Sequence, residues 1–477
     1  MMTSQPAPPA SAATTPGFPP GPRAWPWGLP LLRAMRRDYL GFATSLQQRH
    51  GDLVGLRIGP ERSVDIFHPE LLRQALVDQA DTLLRWERGV AVFAELFGRS
   101  VLTTEGATWQ RQRRMLQPAF TPRRVAGYAT LMQQACAQAL DAAVPAAGGA
   151  AEVDLEALWS QLAIAAILRT LFSLEDASAA RSAMQATRVL SEAAMAEMFW
   201  PVTLPDWLPL PGKAAKRRAL RALRGLVGGQ IAARRAGAGG RHDDLLAHLL
   251  ALRDDTGDGA GGQALSAAEV FDQCLVSFQA GHETTATALT WWSALLLAHP
   301  EAAQRAQAEV DSVLAGAPPG PDDLARLPWL QATLKEALRL YPPTAALLTR
   351  RCTAPLTLGA YQLPAHTLLR VTIWNLHRDP RWYAQPDAFR PERFLPDAPP
   401  PPRGAYLPFG LGPRVCIGQH FAQLEMGIAA AMFLQRLQLP DHGGRALPTP
   451  EVNVTLRPRG GLRARLLRRA AVPGAGS

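Results

Sequence analysis

The sequence predicts a mainly α protein with a minor β part, and three observations carry that reading. From about Pro69 to Leu340 apolar residues recur at three- and four-residue spacing, the period of helices that bury one face. Period-two alternation is confined to short stretches, first around Val54, Leu56 and Ile58, then from Ser63 to Phe67 and near Leu356–Leu358, Leu368–Ile373 and Val452–Leu456. Hydrophobic residues make up 47% and charged residues 19% of the 477, which excludes a wholly disordered or charge-rich chain.

In chain order, residues 1–22 are rich in Pro, Ala, Ser and Thr, with neither a basic start nor an apolar h-region. They read as a flexible tail rather than a signal peptide, leaving residues 23–477 as one domain. The prolines and tryptophans up to Gly28 form a stiff entry, and the first two alternating runs, broken at Gly59-Pro60, form a hairpin. The helical stretch is interrupted at Pro118, Pro145, Pro201–Pro211, Ala236–Gly240 and Thr256–Gly262. Ser266 with Glu269 makes a capping box, and a helix runs from there to Ala298, where His299-Pro300 stops it. Its roughly 32 residues would extend about 48 Å. At its middle sits Ala280-Gly281-His282-Glu283-Thr284-Thr285. A mid-helix Gly costs about 1 kcal/mol relative to Ala, and Thr hydroxyls bond back to helix carbonyls, so the ladder is expected to loosen or bulge there. Two strand-like segments, a Pro-rich coil, a helix after Cys416 and a strand-like end at Val452–Leu456 complete the chain.

The formal charge of +10 and pI of about 10.1 suit a basic docking surface for an acidic protein. The arginines are scattered without interleaved aromatics, so nucleic acid is not an expected partner. Cys136, Cys274, Cys352 and Cys416 lie far apart with no CxxC pair, which argues against a disulfide framework or zinc knuckle and fits a reducing cytoplasm. The longest apolar run, Ala288 to Ala298, is too short for a span, so no transmembrane anchor is expected. Ten histidines show no HExxH spacing, and no dinucleotide or phosphate loop is present.

Chemistry concentrates in Phe409-Gly410-Leu411-Gly412-Pro413-Arg414-Val415-Cys416-Ile417-Gly418. One Cys stands in a Gly- and Pro-shaped loop before a helical run. Loop N–H groups and the helix start can hold a thiolate, while Gly412 and Gly418 let a flat cofactor approach and Arg414 can reach its anionic edge. Elsewhere a lone Cys is ordinarily a small buried hydrophobe, the reading taken for the other three. Trp109 and Arg113 stand four apart on one helical face, an indole N–H and a guanidinium suited to a carboxylate; alone they would read as a basic amphipathic helix. Glu336 and Arg339 share a helix face ending at Tyr341-Pro342-Pro343, and Arg393 follows in Pro391-Glu392-Arg393-Phe394.

These motifs, in this order, resemble the cytochrome P450 family, the haem-thiolate monooxygenases. Phe409, Gly412, Arg414, Cys416 and Gly418 match every fixed position of F-x-x-G-x-R-x-C-x-G, and the resemblance spans nearly the whole chain. It implies a helical subdomain and a small β-rich subdomain enclosing haem b, with Cys416 as the axial ligand to iron and Phe409 packing near its sulfur. It also implies that Trp109, Arg113 and Arg350 meet haem propionates, with Arg351 competing for the last role, and that Glu336, Arg339 and Arg393 form a buried structural network. His377 is taken as structural. Ala280 to Thr285 resembles the family's A/G-G-x-D/E-T, with Glu283 and Thr284 an acid and alcohol that organise water and pass protons during oxygen activation. His366 stands where the family commonly has Gly, which puts the local turn geometry in question.

The implied activity is insertion of one atom of O2 into a lipophilic fatty acid, terpenoid or polyketide, with electrons from a separate ferredoxin or flavodoxin and its reductase. Arg111, Arg114, Arg123 and Arg124 are candidate docking residues. Expected pocket walls are a loop Arg88 to Phe97, the stretch Met198 to Leu204, Ala280, and Ala346-Leu347-Leu348. The rivals are a haem-thiolate peroxygenase or isomerase, against which Glu283 and Thr284 count, and a haem-based sensor, for which no second regulatory domain appears.

Overall fold

The computed structural model describes residues 17–23, 27–144, 149–198, 204–237, 243–254, 263–346, 348–439 and 446–470. Most of the N-terminal tail, Trp25-Pro26, the breaks at Pro145, 238–240 and Thr256–Gly262, the Pro201 end of its break and the Leu347 wall position lie outside them. Two compact units emerge. The first comprises residues 1–87, 346–376 and 402–415; the second comprises 88–345, 377–401 and 416–477.

The first unit is built on a five-stranded sheet of β1 (Leu53–Ile58), β2 (Glu61–Ile66), β3 (Leu83–Arg85), β4 (Leu348–Cys352) and β5 (Leu368–Val371), in the order β1-β2-β5-β4-β3. The hairpin β1–β2 forms as the alternation predicts, Leu53 opposite Ile66. Its pairing to β5 is parallel, with Leu368 opposite Ser63, and the remaining pairs are antiparallel. Val64, Ile66, Leu369 and Val371 are fully or almost fully buried in its core, joined by Leu72, Leu76 and Leu407. The Gly55 N–H donates to the Pro20 carbonyl, so the stretch ahead of β1 is pinned beside it. His366 adopts φ 66°, the left-handed conformation that Gly takes without strain. The turn keeps its shape: the His366 N–H donates to the Cys352 carbonyl, and the His366 carbonyl accepts from Arg351.

In the second unit the helices that matter below are α1 (Glu87–Phe97), α2 (Gly106–Leu116), α3 (Leu155–Phe172), α4 (Ala177–Met198), α5 (Lys213–Arg235), α6 (Ala267–Ala298), α7 (Pro328–Leu340) and α8 (Gln419–Arg436). Residues 88–97 are therefore helix, not the expected loop. α6 is the predicted 32-residue helix, with both halves of the Ser266–Glu269 capping box formed. It is α-helical throughout, so the expected bulge does not form. Gly281 serves packing instead, because a Cβ there would come within 3.0 Å of Ile167 on α3. The Thr284 and Thr285 hydroxyls donate to the Ala280 and Gly281 carbonyls without breaking the ladder. By length and composition α3 passes as a candidate membrane span, although most of it is buried in this unit, where Trp159 donates to Ser293 of α6. The C-terminal prediction needs correction: Pro450–Val452 and Leu456–Pro458 are two strands paired antiparallel, with the chain turning through Asn453–Thr455.

Glu336 and Arg339 on α7 are fully buried. Arg339 meets the carboxylate bidentately at 2.7 and 2.8 Å and donates to the carbonyls of His377 and Pro386 at 2.6 and 2.7 Å, with its guanidinium over the Tyr383 ring. Arg393 reaches Glu336 at 3.4 Å and caps the carbonyls of Ala384 and Gln385. His377 is buried with Nδ1 at the Arg339 carbonyl, and burial pushes its imidazole down to about 3, so it stays neutral. The expected network is present.

Glu425 on α8 is fully buried with neither carboxylate oxygen hydrogen-bonded, and burial, opposed by the nearby Thr285 hydroxyl, pushes its pKa up to about 8. An unfolded chain releases this proton near pH 4.3. The stabilisation is therefore complete at acid pH and is lost as pH rises toward 8, at no more than about 1.4 kcal/mol per pH unit. Glu425→Gln should flatten that slope and melt at higher temperature than wild type at pH 8. Thermal melts from pH 5 to 9 test this; parallel curves for the two proteins would show that Glu425 is ionised in the fold.

Candidate active site

The residues singled out by the sequence fall in both units and are described unit by unit. In the first, residues 407–415 form a tight loop in which the Gly410 N–H donates to Leu407 and the Val415 N–H to Gly412. Gly412 has φ 79°, and a Cβ there would lie 2.1 Å from the Leu76 carbonyl oxygen, so the position excludes every side chain. Phe409 and Arg414 are half-buried on this loop. On β4 the two candidate arginines diverge. Arg351 is held by Glu61 at 2.5 Å and Glu87 at 3.0 Å, whereas Arg350 is half-buried and donates to the Thr349 carbonyl at 3.0 Å.

In the second unit Cys416 is exposed, while Cys136 and Cys274 are buried there, as is Cys352 in the first. Burial lifts Cys136 and Cys274 far above the ordinary thiol range and Cys352 to about 11, which leaves them as inert core residues. Protein crowding the inner side of the Cys416 sulfur also raises its thiol, but the Gly418 N–H and the Arg113 guanidinium pull the other way. Gly418 is the N-cap of α8, so the helix dipole adds to that pull. No atom lies within 4 Å of a Cβ built on Gly418. Trp109 and Arg113 share one face of α2, both half-buried, and Arg113 lies close enough to Cys416 for each to shift the other's titration.

Across this unit α6 presents Ala280 and Thr284 four residues apart on one face, exposed and half-buried on a helix that is otherwise mostly core. Glu283 points elsewhere. Its carboxylate accepts from Ser191 at 2.5 Å, Gln279 at 3.1 Å, Thr455 at 2.9 Å and Arg457 at 2.9 Å. Burial alone would raise its pKa, yet Arg457 and the Ser191 hydroxyl outweigh it and hold the carboxyl below the usual range. A cavity of about 290 Å³, lined partly by Glu156, Arg188, Thr287 and Arg457, borders Glu283. Ser191, Thr455 and Arg457 were not anticipated: they stand in no motif, and distant parts of the chain bring them together.

This donor set suits an iron porphyrin. It offers one accessible soft sulfur at a helix N-terminus, a Gly that leaves approach open, and cationic and indole N–H donors for carboxylates. Among the described residues the other clustered acids, Glu95, Glu197 and Asp206, are bridged by Lys213 and Lys216.

Comparison with known proteins agrees. Residues 19–463 match the family model described as Cytochrome P450. The chain is 37% identical over 456 residues to "Cyclooctatin synthase" of Streptomyces melanosporofaciens, covering 92% of this chain and 96% of that protein. It is 36% identical to "Cyclooctat-9-en-7-ol 5-monooxygenase" of the same organism, covering 94% and 96%. To "Pentalenene oxygenase" of Streptomyces avermitilis it is 34% identical, covering 84% and 87%.

Proposed function

We propose that this chain, which belongs to the cytochrome P450 family and is a monooxygenase, hydroxylates a cyclic terpenoid in the cytoplasm. The relatives named for cyclooctatin, cyclooctat-9-en-7-ol and pentalenene support that choice among the lipophilic classes. The single observation carrying the reading is the exposed Cys416 at the start of α8, beside Arg113. Haem b, when bound, would supply the oxygen activation that the monooxygenase reaction needs.

The protein's part is to hold and to protonate. Cys416 would hold the haem iron through its thiolate, and the Gly418 N–H and Arg113 favour that charged form. Trp109 and Arg113 would take one propionate, and Arg414 of the Phe409–Val415 loop would meet the anionic edge. Arg350 takes the remaining propionate role, since Arg351 is committed to Glu61 and Glu87. Phe409 would take the place beside the sulfur that the family resemblance gives it. Electrons come from a separate ferredoxin or flavodoxin with its reductase, docking on basic residues among Arg111, Arg114, Arg123 and Arg124, of which Arg114 and Arg123 are exposed.

Thr284 Oγ1 delivers the proton and Glu283 replenishes it. At rest both are engaged, Thr284 with the Ala280 carbonyl and Glu283 with its four partners, so delivery requires each to exchange a protein bond for water. Thr284→Ala should keep haem and substrate binding while the ratio of product to reductant falls by roughly tenfold, with hydrogen peroxide making up the difference. Glu283→Gln should slow the same step. A wild-type ratio in Thr284→Ala would leave its hydroxyl as nothing more than a bond to the Ala280 carbonyl.

A further inference from the structure

Glu425 on α8 belongs to neither the Cys416 surroundings nor the Glu283 network, yet it lies behind the turn that carries Thr284. It is fully buried, and neither carboxylate oxygen has a hydrogen-bond partner. α8 packs against α6, which brings the Thr285 hydroxyl to Glu425, and against the helix Ala129–Ala143, which brings Cys136. The charged groups on the elements around α8 are engaged elsewhere: Glu336 of α7 with Arg339, Asp311 with Arg469, Asp323 with the Gly320 N–H, Arg124 over the Tyr128 ring, and Arg436 of α8 itself with Asp141. Burial raises the Cys136 thiol far above its ordinary range, so it stays uncharged. Among the described residues, then, no cation compensates a Glu425 carboxylate, and a buried uncompensated charge costs far more than a retained proton. The carboxyl is neutral at neutral pH, in keeping with the pKa of about 8 that burial gives it.

We propose that Glu425 is a positioning residue for the hydroxylation, acting through the Thr285 hydroxyl to hold the turn of α6 that aims Thr284. Thr284 Oγ1 donates to the Ala280 carbonyl at 2.8 Å and Thr285 Oγ1 to the Gly281 carbonyl at 3.1 Å. Hydroxyls bonded back in this way bend a helix, so the two together set the course of α6 through residues 280–285. A neutral carboxyl has a hydrogen to donate, whereas an ionised one only accepts. Opposite a neutral Glu425 the Thr285 hydroxyl keeps its own hydrogen on the Gly281 carbonyl. Opposite an ionised Glu425 it is the donor at hand, and it turns to the carboxylate and releases that carbonyl. Gly281 stays wedged against Ile167 while the Thr285 side of the turn relaxes, and the neighbouring Thr284 hydroxyl is aimed differently. The inference rests on Thr284 as the group that delivers the proton.

Two readouts on the haem-loaded protein test it between pH 6.5 and 9.5. The infrared difference spectrum of wild type minus Glu425→Gln should show the carbonyl stretch of a protonated carboxylic acid at the acid end, fading as the pH passes about 8. Over the same range the wild-type ratio of product to reductant should fall by roughly threefold, a small part of the roughly hundredfold that a misplacement of about 1 Å can cost. Glu425→Gln, whose amide donates at every pH, should hold its ratio constant. Thr285→Val, with no hydroxyl to turn, should do the same. A purely structural Glu425 would shift the melting temperature and leave the three ratio profiles parallel, which overturns the inference, as does the absence of the acid band at pH 6.5. Thr284→Ala separates this inference from the reading beneath it. A wild-type ratio in that variant overturns both, whereas an uncoupled Thr284→Ala beside parallel profiles in wild type and Glu425→Gln overturns the role of Glu425 alone.

Discussion

Cys416→Ser should abolish both the thiolate spectrum and hydroxylation, while Cys136→Ser, Cys274→Ser and Cys352→Ser retain them. The contrast follows from exposure and electrostatics. A Ser hydroxyl is not ionised at neutral pH even beside Arg113 and the Gly418 N–H, so no anionic donor remains at the start of α8. The other three sulfurs are buried, with thiols held well above the ordinary range. Their loss removes a polar hydrogen from the core and nothing from the site. Absorption spectra of the four haem-loaded variants, with turnover measured alongside, check this; an unchanged spectrum in Cys416→Ser would remove it as the ligand.

The largest loss of stability is expected from Arg339→Ala. Glu336 would then lie fully buried, keeping Arg393 at 3.4 Å and the Arg390 N–H at 2.9 Å, and the carbonyls of His377, Pro386 and Ala388 would lose their donor. Leaving one partner of a buried pair uncompensated costs about 3 to 5 kcal/mol. Arg339→Lys should recover little, since an ammonium cannot meet the carboxylate bidentately while reaching carbonyls on two sides. Arg393→Ala should cost less, because its bond to Glu336 is long and its outer edge is exposed. Urea unfolding of the three variants checks the order Arg339→Ala, Arg339→Lys, Arg393→Ala; equal midpoints for Arg339→Ala and wild type would contradict it.

What could be read from the sequence was local. The Ser266–Glu269 cap, the β1–β2 hairpin and the shared helix faces of Trp109 with Arg113 and Glu336 with Arg339 all depend on spacings of four residues or fewer, or on one turn, and the chain states those directly. What escaped depends on distant partners. β3 is three residues long, too short for alternation to register, and the parallel pairing of β5 to β2 joins residues some three hundred positions apart. Gly281 looked like a defect because its neighbour Ile167 lies on another helix. The partners that hold Glu283 went unread for the same reason: Arg457 and Ser191 approach from opposite directions along the chain. Glu425 did leave a trace, since it opens an α8 run, Met426 to Leu434, with no polar face to place it on.

The central claim is that Cys416 ligates haem iron as a thiolate, and the carbon-monoxide adduct of the reduced, freshly purified, haem-loaded protein tests it most directly. The account predicts the strongly red-shifted Soret band of thiolate ligation, present in wild type and absent in Cys416→Ser. A Soret band at the position given by a neutral histidine or a protonated sulfur, in fully loaded and folded protein, would contradict it.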